Sequence, residues 1–139
     1  MLAQLVYVSL RAPICTEDEI QKILASCKKN NKEKDVTGVL LYSDTHFLQY
    51  LEGDYKNIAS LYDTIKLDKR HKHALMVSNA PISKRSFPGW QMGAKKFDKQ
   101  DIVFQSEMSA SERIAFKSLL SGESEDGQLA LHLVLKFFK

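Results

Sequence analysis

A chain of 139 residues, of which 44% are hydrophobic and 27% charged, can bury one compact core and has the composition of a globular protein. Its formal net charge of +3 is too small to indicate a nucleic-acid binder, and its apolar runs fall short of the roughly 20 residues that span a membrane. Cys15 and Cys27 form neither a CxxC pair nor a metal-ligand pattern, so we expect reduced thiols, no metal site and a cytoplasmic protein.

The first two elements in chain order are a strand and a helix. Residues 2–10 predict a strand and not a signal peptide, because they lack a basic leader and a cleavage site. Thr16 and Glu19 have the spacing of a capping box, which marks the start of a helix. Apolar residues then recur at helical spacing, and we expect the helix to end near Asn30 and Asn31.

Residues 36–42 and 46–52 predict two strands that pair as a hairpin. The second strand raises a question, because its alternation places Gln49 on one face together with Phe47 and Leu51. An amide that is buried without partners costs on the order of 1–3 kcal/mol, so Gln49 needs something to bond. A neighbouring backbone carbonyl is one candidate, and a bound ligand is another.

The middle of the chain predicts a helix followed by two more strands. Gly53 and Asp54 open the helix, which is expected to end in the charged run at 66–73. Residues 74–82 fit a fourth strand, and residues 90–97 fit a fifth strand after a turn built on proline and glycine. The order βαββαβ with an additional strand predicts an α+β, ferredoxin-like sandwich.

The tail is expected to cover the second face of this sheet. The first two strands are apolar on both faces, which a sheet with helices on one side only would not need. Ser109 and Glu112 form another capping-box pattern, and residues 129–138 are apolar enough for a buried helix although their leucines alternate as in a strand. We interpret them as a helix, and expect a core at 1–97 and a helical extension at 98–139 packed on the opposite sheet face.

Five side chains can converge in such a fold: Tyr7, Asn31, Gln49, Trp90 and Met92. Each has an ordinary structural explanation, as a core aromatic, a helix C-cap, a backbone-bonded amide or a packing pair. Together they describe a slot between two helices, floored by the sheet, with amide and phenol groups directed into it. Such a slot suits a flat ligand with polar edges.

The same residues and their spacing resemble the BLUF family, blue-light sensors that use FAD. The resemblance rests on FLQYLEG around Gln49, on GWQMG around Trp90, and on DKRH at 68–71, which matches the family pattern D-x-R-H. It covers roughly residues 2–97, and the tail is similar to that of short stand-alone members. At Asn30 the sequence departs from members that carry a flavin-stacking residue there.

The resemblance implies a role for each matching residue. Gln49 is expected to bond both the Tyr7 hydroxyl and the flavin edge, and Asn31 to hold the carbonyl and N–H side of the ring. Phe47 and Ile65 are expected to wall the ring, and Arg70, with Lys69 nearby, to hold the phosphates. Asp68 and His71 complete the D-x-R-H pattern, and the adenosine half is the contact considered for His71. Without the family match, the charged run among them would be interpreted as a solvated helix end.

The implied mechanism is that of a light switch and not of an enzyme. Blue light makes oxidised flavin a strong oxidant, Tyr7 is the nearest oxidisable side chain, and Gln49 is placed to relay the proton and to be left rearranged. Trp90 and Met92 are the expected output residues, acting through strand five on the helical tail. The expected output is a changed interaction with a downstream protein or self-association as a homo-oligomer, without nucleic acid or membrane.

Two other classes share the βαββαβ order. An RNA-binding recognition module needs a basic-Gly-aromatic run with exposed aromatics, whereas strand three offers His46, Phe47 and Tyr50 without that pattern. An acylphosphatase-like enzyme needs a glycine-rich loop bearing an arginine after strand one, and SLRAPICT has Arg11 but no glycine. The sequence disfavours both classes.

Overall fold

A five-stranded sheet and four helices make up the parts of the chain that the computed structural model describes, namely residues 1–90, 92–97, 109–121 and 127–138. The elements are β1 (Leu2–Arg11), α1 (Glu17–Lys34), β2 (Thr37–Tyr42), β3 (His46–Asp54), α2 (Tyr55–Lys66), β4 (His71–Pro81), β5 (Gly93–Lys96), α3 (Ala110–Leu120) and α4 (Gly127–Phe138). The strand order is β4-β1-β3-β2-β5, with β5 parallel to β2 and the other pairs antiparallel. This arrangement confirms the predicted ferredoxin-like α+β fold with a fifth strand.

One face of the sheet packs against α1 and α2, and we call it the helix face. Leu5, Leu40 and Phe47 from the strands lie in one buried core with Ile20 of α1 and Ile58 of α2. The intervening strand residues point to the other side, which is the alternation that the sequence predicts for β3.

The opposite face packs against α3 and α4, and we call it the cap face. Val8, Leu41 and Leu48 lie in a second buried core with Phe116 of α3 and Leu133 of α4. Fully burying an aliphatic or aromatic side chain of this size stabilises a fold by roughly 1.5–3 kcal/mol. The prediction that the tail forms helices over the second face is therefore confirmed, including the assignment of α4 as a helix.

The start of α3 has the predicted capping box. The Ser109 hydroxyl accepts from the Glu112 N–H at 3.2 Å, and the Glu112 carboxylate accepts from the Ser109 N–H at 3.0 Å. The unit boundary between residues 97 and 98 stays a prediction, because residues 98–108 lie outside the described ranges. Within those ranges, no helix is both long enough and apolar enough to cross a membrane.

Helix α1 continues past its predicted end and stops at Lys34. Its C-cap is Asp35, whose φ of 55° lies in the left-handed region that terminates many helices. Asn31 therefore lies within the helix instead of capping it, and its side chain is buried. At the start of α1, Thr16 Oγ1 accepts from the Glu19 N–H as predicted, while the Glu19 carboxylate pairs with two basic side chains.

Helix α2 ends at the first residue of the charged run at 66–73, as predicted, but the fourth strand begins earlier than predicted. α2 ends at Lys66, and β4 already begins at His71, which pairs with Arg11 of β1. The ladder between β1 and β4 shifts register near His73, whose φ of 53° is left-handed. A bulge of this kind interrupts strand alternation, so the sequence pattern placed the start of the strand too late.

Strand β5 is also shorter than predicted. It begins at Gly93, so Trp90 and Met92 precede it instead of belonging to it. The Trp90 carbonyl accepts from the Gly38 N–H at 2.9 Å, and the Trp90 N–H donates to the Phe87 carbonyl at 3.3 Å. These residues therefore form a connection that enters the strand.

Candidate functional site

Tyr7 and Gln49 face each other on the helix face. They are direct cross-strand partners of β1 and β3, and their side chains are buried, with 1% and 2% of their surface exposed. The Tyr7 hydroxyl donates to Gln49 Oε1 at 2.5 Å. Burial raises the pKa of Tyr7 well above its usual value, so the phenol keeps its proton and remains a donor.

The other end of the Gln49 amide meets Met92. Gln49 Nε2 donates to Met92 Sδ at 3.3 Å, and Met92 is buried in the helix-face core. These two contacts orient the amide, with its oxygen toward Tyr7 and its nitrogen toward Met92. A thioether is a weak acceptor, so the second contact is the easier of the two to replace.

Cys27 and Tyr62 adjoin this pair, although the sequence pattern did not place either of them at the site. Burial raises the pKa of the Cys27 thiol to about 11, a shift that the positive charge of Arg70 and a hydrogen bond with Gln49 partly oppose. Tyr62 of α2 packs beside Tyr7, with ring centroids 5.4 Å apart. The available sequence signal was spacing, because Cys27 precedes Asn31 by one turn on the same side of α1.

His71 lies beside Tyr7 and forms part of an aromatic wall. Its Nδ1 shares a hydrogen bond of 2.8 Å with Ser9 Oγ, and its ring centroid lies 4.4 Å from that of Phe47 and 6.0 Å from that of Tyr7. Burial lowers the pKa of His71 to about 4, so the ring is neutral at physiological pH.

Two carboxylates hold Arg70. Its guanidinium donates to Asp68 at 2.6 Å and 3.0 Å, and to Glu19 at 3.3 Å. Hydrogen bonding with Arg70 lowers the pKa of Asp68, so this pair stays charged across the physiological range. Lys69 is exposed beside it. An incoming phosphate would meet a guanidinium already oriented by Asp68 and would compete with Glu19 for it.

The chemistry of these side chains fits the isoalloxazine ring of FAD. A flavin edge presents carbonyl acceptors and an N–H donor, and the buried amides of Asn31 and Gln49 can each donate and accept. Phe47 lies in the helix-face core and Ile65 packs against it, so both offer apolar surface. Arg70 supplies the planar cation that suits phosphate.

Trp90 packs with cap-face residues, whereas the predicted strand at 90–97 would have placed it on the same face as Met92, two residues later. Its ring centroid lies 5.4 Å from that of Phe87 and 5.7 Å from that of Phe138, and the residue is 38% exposed. A Cβ atom at Gly93 would come within 2.5 Å of the Trp90 ring, so the glycine leaves room for it. The structure thus brings Met92, and not Trp90, to the glutamine.

The two alternative classes do not fit these surfaces. The cap face would have to be open in an RNA-binding module, yet Tyr50 on that face is 1% exposed. Arg11 would have to face an anion in an acylphosphatase-like enzyme, yet its guanidinium donates to the carbonyls of Cys15 and Ser43 at 2.7 Å and 3.0 Å. Arg11 therefore acts as a structural clamp.

Comparison with known proteins agrees with this geometry. The family model for BLUF, sensors of blue-light using FAD, matches residues 2–93. The blue light- and temperature-regulated antirepressor BluF of Escherichia coli (strain K12) is 30% identical over 111 residues, which is 76% of this chain and 27% of that protein. The photoactivated adenylate cyclase subunit beta of Euglena longa is 32% identical over 87 residues, which is 63% of this chain and 10% of that protein.

A solved structure of similar size supports the same assignment. The dark state structure of BlrB, a BLUF protein, has a TM-score of 0.67 and 28% sequence identity, and the match covers 82% of this chain and 89% of that one. The two curated relatives, in contrast, are several times longer than the segment matched here. Because the family model covers well over half of its residues, this chain belongs to the BLUF family of blue-light sensors that use FAD.

Proposed function

We propose that blue light switches Gln49 between two hydrogen-bond arrangements in this chain, and that the switch changes a protein interaction made by the cap helices. The observation that carries the proposal is the continuous set of contacts from the Tyr7 hydroxyl through the Gln49 amide to the Met92 sulfur. Each contact joins groups on different elements, so a change at the amide is felt by the sheet and by the segment before β5.

The residues placed to hold FAD are those that the sequence predicts. Asn31 and Gln49 would bond the polar edge of the ring, and the walls would come from Phe47, Ile65 and His71. The phosphates would be held by cations at the end of α2, with Asp68 orienting the guanidinium: Lys69 and Arg70.

Tyr7 is the electron donor in this proposal. Bound FAD, once excited by blue light, supplies a strong oxidant to the residues around it. A phenol that has lost an electron is a strong acid, so the Tyr7 proton moves along its existing bond to Gln49 Oε1. When the electron and the proton return to Tyr7, the Gln49 amide is left rearranged, and Nε2 no longer donates to Met92.

Trp90 and residues 92–97 link the site to both cap helices. Met92 contacts the glutamine on the helix face. On the cap face, the Phe97 ring lies 5.3 Å from Phe116 of α3, and the Trp90 ring lies 5.7 Å from Phe138 of α4. A displacement of Met92 therefore reaches α3 and α4 through packed aromatic rings.

The output that we propose is binding and not catalysis. One relative is a blue light- and temperature-regulated antirepressor and the other is a subunit of a photoactivated adenylate cyclase, and the present chain matches only a small part of each. We infer a downstream protein partner in the cytoplasm, a compartment that suits the free thiols of Cys15 and Cys27. Exposed Leu75 and Met76 on the edge strand β4 favour a homo-oligomer in addition.

The first test is absorption spectroscopy of the purified protein supplied with FAD. The protein should be yellow, its flavin bands should move to longer wavelength under blue light, and they should return in the dark. A protein that remains colourless with excess FAD would contradict the proposal.

The second test is Tyr7→Phe, which removes the donor hydroxyl and keeps the ring. The variant should bind FAD but lose the red shift completely, because the phenolic proton is the one that moves. Tyr55→Phe is the matched control, because Tyr55 is 50% exposed at the start of α2 and should leave the red shift unchanged. A full red shift in Tyr7→Phe would show that Tyr7 is not the donor.

A further inference from the structure

Glu52 is a buried carboxylate on the cap face of β3, beyond Gln49 on the same strand. Its exposed fraction is 0%. Its Oε2 accepts from the Ser86 N–H at 2.7 Å, and its Oε1 accepts from the Phe87 N–H at 2.8 Å. The Tyr50 hydroxyl also donates to Oε2, at 3.3 Å. An ionised carboxylate can only accept, and here donors meet both of its oxygens.

Arg85 fastens the same loop at a second point. Its Nη1 donates to Thr37 Oγ1 at 2.7 Å and to the Glu52 carbonyl at 3.2 Å, while its Nη2 donates to the Asp35 carbonyl at 2.7 Å. These acceptors lie at the end of α1, at the start of β2 and on β3, and α1 and β3 also carry the candidate site. The first part of the connection from β4 to β5 is therefore held firmly against the sheet.

The connection changes character before it reaches Met92. Gly89 has a φ of 81°, in the left-handed region that glycine adopts easily, and it follows Pro88. Beyond this turn, Trp90 is half-exposed and Met92 is held by a weak sulfur contact. The turn at Gly89 thus separates Ser86 and Phe87, which bond the Glu52 carboxylate strongly, from Met92, whose side chain bonds Gln49 weakly.

We propose that Glu52 is a positioning residue for the light output: it holds one end of the connection still while Gln49 moves the other end at Met92. This inference rests on the proposed function. Both anchors lie on β3, so strand geometry fixes their separation at roughly 10 Å. They stand on opposite faces of that strand, one directed to the site and one to the cap.

A fixed end determines where the movement goes. With Ser86 and Phe87 held by Glu52, a displacement of Met92 is taken up at the glycine turn and moves Trp90 against α4. With that end released, the whole connection would follow Met92, and the contact with α4 would change little. Glu52 therefore sets how much of the change at the amide reaches the cap.

Trp90 is the one tryptophan of the chain, so 5-fluorotryptophan gives a single ¹⁹F resonance from this position. In the FAD-loaded protein, this resonance should shift under blue light together with the flavin red shift. In Glu52→Gln, an amide NH₂ group replaces one carboxylate oxygen, so that a side-chain donor faces the backbone N–H of Ser86 or Phe87. The red shift should persist, and the light-induced ¹⁹F shift should fall about tenfold because the charge-assisted anchor is lost.

Glu33→Gln is the matched control, since Glu33 is exposed on α1 and should keep both signals. An undiminished ¹⁹F response in Glu52→Gln would overturn the proposal. Loss of the flavin red shift from the unmodified protein would instead overturn the proposed function, so the two failures are distinguishable.

Hydrogen exchange on the unmodified, FAD-loaded chain decides the question even if Glu52→Gln fails to fold. The Ser86 and Phe87 amides should be equally protected in darkness and in light, because Glu52 holds them in both states. The Gly38 amide, which bonds the Trp90 carbonyl, should exchange about tenfold faster in light. Equal light-induced changes at all three amides would show that Glu52 is not a fixed anchor.

Discussion

Strand β3 holds its two buried polar side chains in different ways. On the helix face, Gln49 is neutral and bonds a phenol, a thioether and the Cys27 thiol. On the cap face, Glu52 accepts two backbone N–H groups at distances of 2.7 Å and 2.8 Å. Rearranging the first costs little, because one of its partners is a weak acceptor, whereas freeing the second leaves a buried charge without partners. One strand thus combines a contact that can switch with a contact that cannot.

The largest expected loss of stability comes from a cavity in the cap-face core, and it tests whether the two faces of the sheet act separately. Phe116→Ala should destabilise the protein by about 3–5 kcal/mol, because Phe116 is fully buried against Phe97 and the sheet. Urea unfolding measures the loss, and Ile114→Ala on the exposed side of α3 is the control. The flavin red shift should survive Phe116→Ala in the folded fraction. Its loss there would mean that the two faces are not separable.

The next effect is a pH dependence that belongs to the helix face. The native pKa of His71 is about 4, below its ordinary value of 6.5, so the unfolded chain binds this proton first as the pH falls. The contribution of neutral His71 to the free energy of unfolding is therefore fully present above about pH 6.5. The free energy of unfolding should fall by about 3 kcal/mol as the pH falls to about 4.

Urea unfolding at about pH 7 and about pH 4.5 measures this decline. His71→Gln should remove most of the pH dependence, whereas His73→Gln, which alters an exposed residue of the same strand, should keep it. An unchanged pH dependence in His71→Gln would assign the effect to other groups.

The smallest effect on stability is expected at the half-exposed link between the faces. Trp90→Ala should cost only about 1–2 kcal/mol, since the ring is 38% exposed, and should keep the red shift. It should, however, reduce the light-induced change in hydrogen exchange of α4, and Trp90→Phe should restore part of that change. Complete loss of FAD from Trp90→Ala would instead make Trp90 a structural part of the site.

Local alternation and capping predicted most of the fold. The apolar rows of β3 placed Gln49 with Phe47 on one face and Tyr50 on the other, as observed. The capping box at Ser109 predicted the start of α3, because both of its bonds join residues close in sequence. The need to cover a second apolar face then predicted two tail helices.

The features that the sequence did not predict depend on long-range contacts. Trp90 and Met92 match a strand pattern, but Glu52 and Arg85 hold the preceding loop so that β5 begins only at Gly93. Which of the two residues meets Gln49 follows from this loop and not from alternation. The early start of β4 depends in the same way on its pairing with β1 across a bulge.

Gly93 has a consequence for how this sensor could be controlled. The Trp90 ring rests where the first carbon of any other side chain at position 93 would lie. One added methyl group would therefore push the indole away from its resting place without any photon. The absence of a side chain at Gly93 thus keeps the Trp90 ring in the position that it has in the dark.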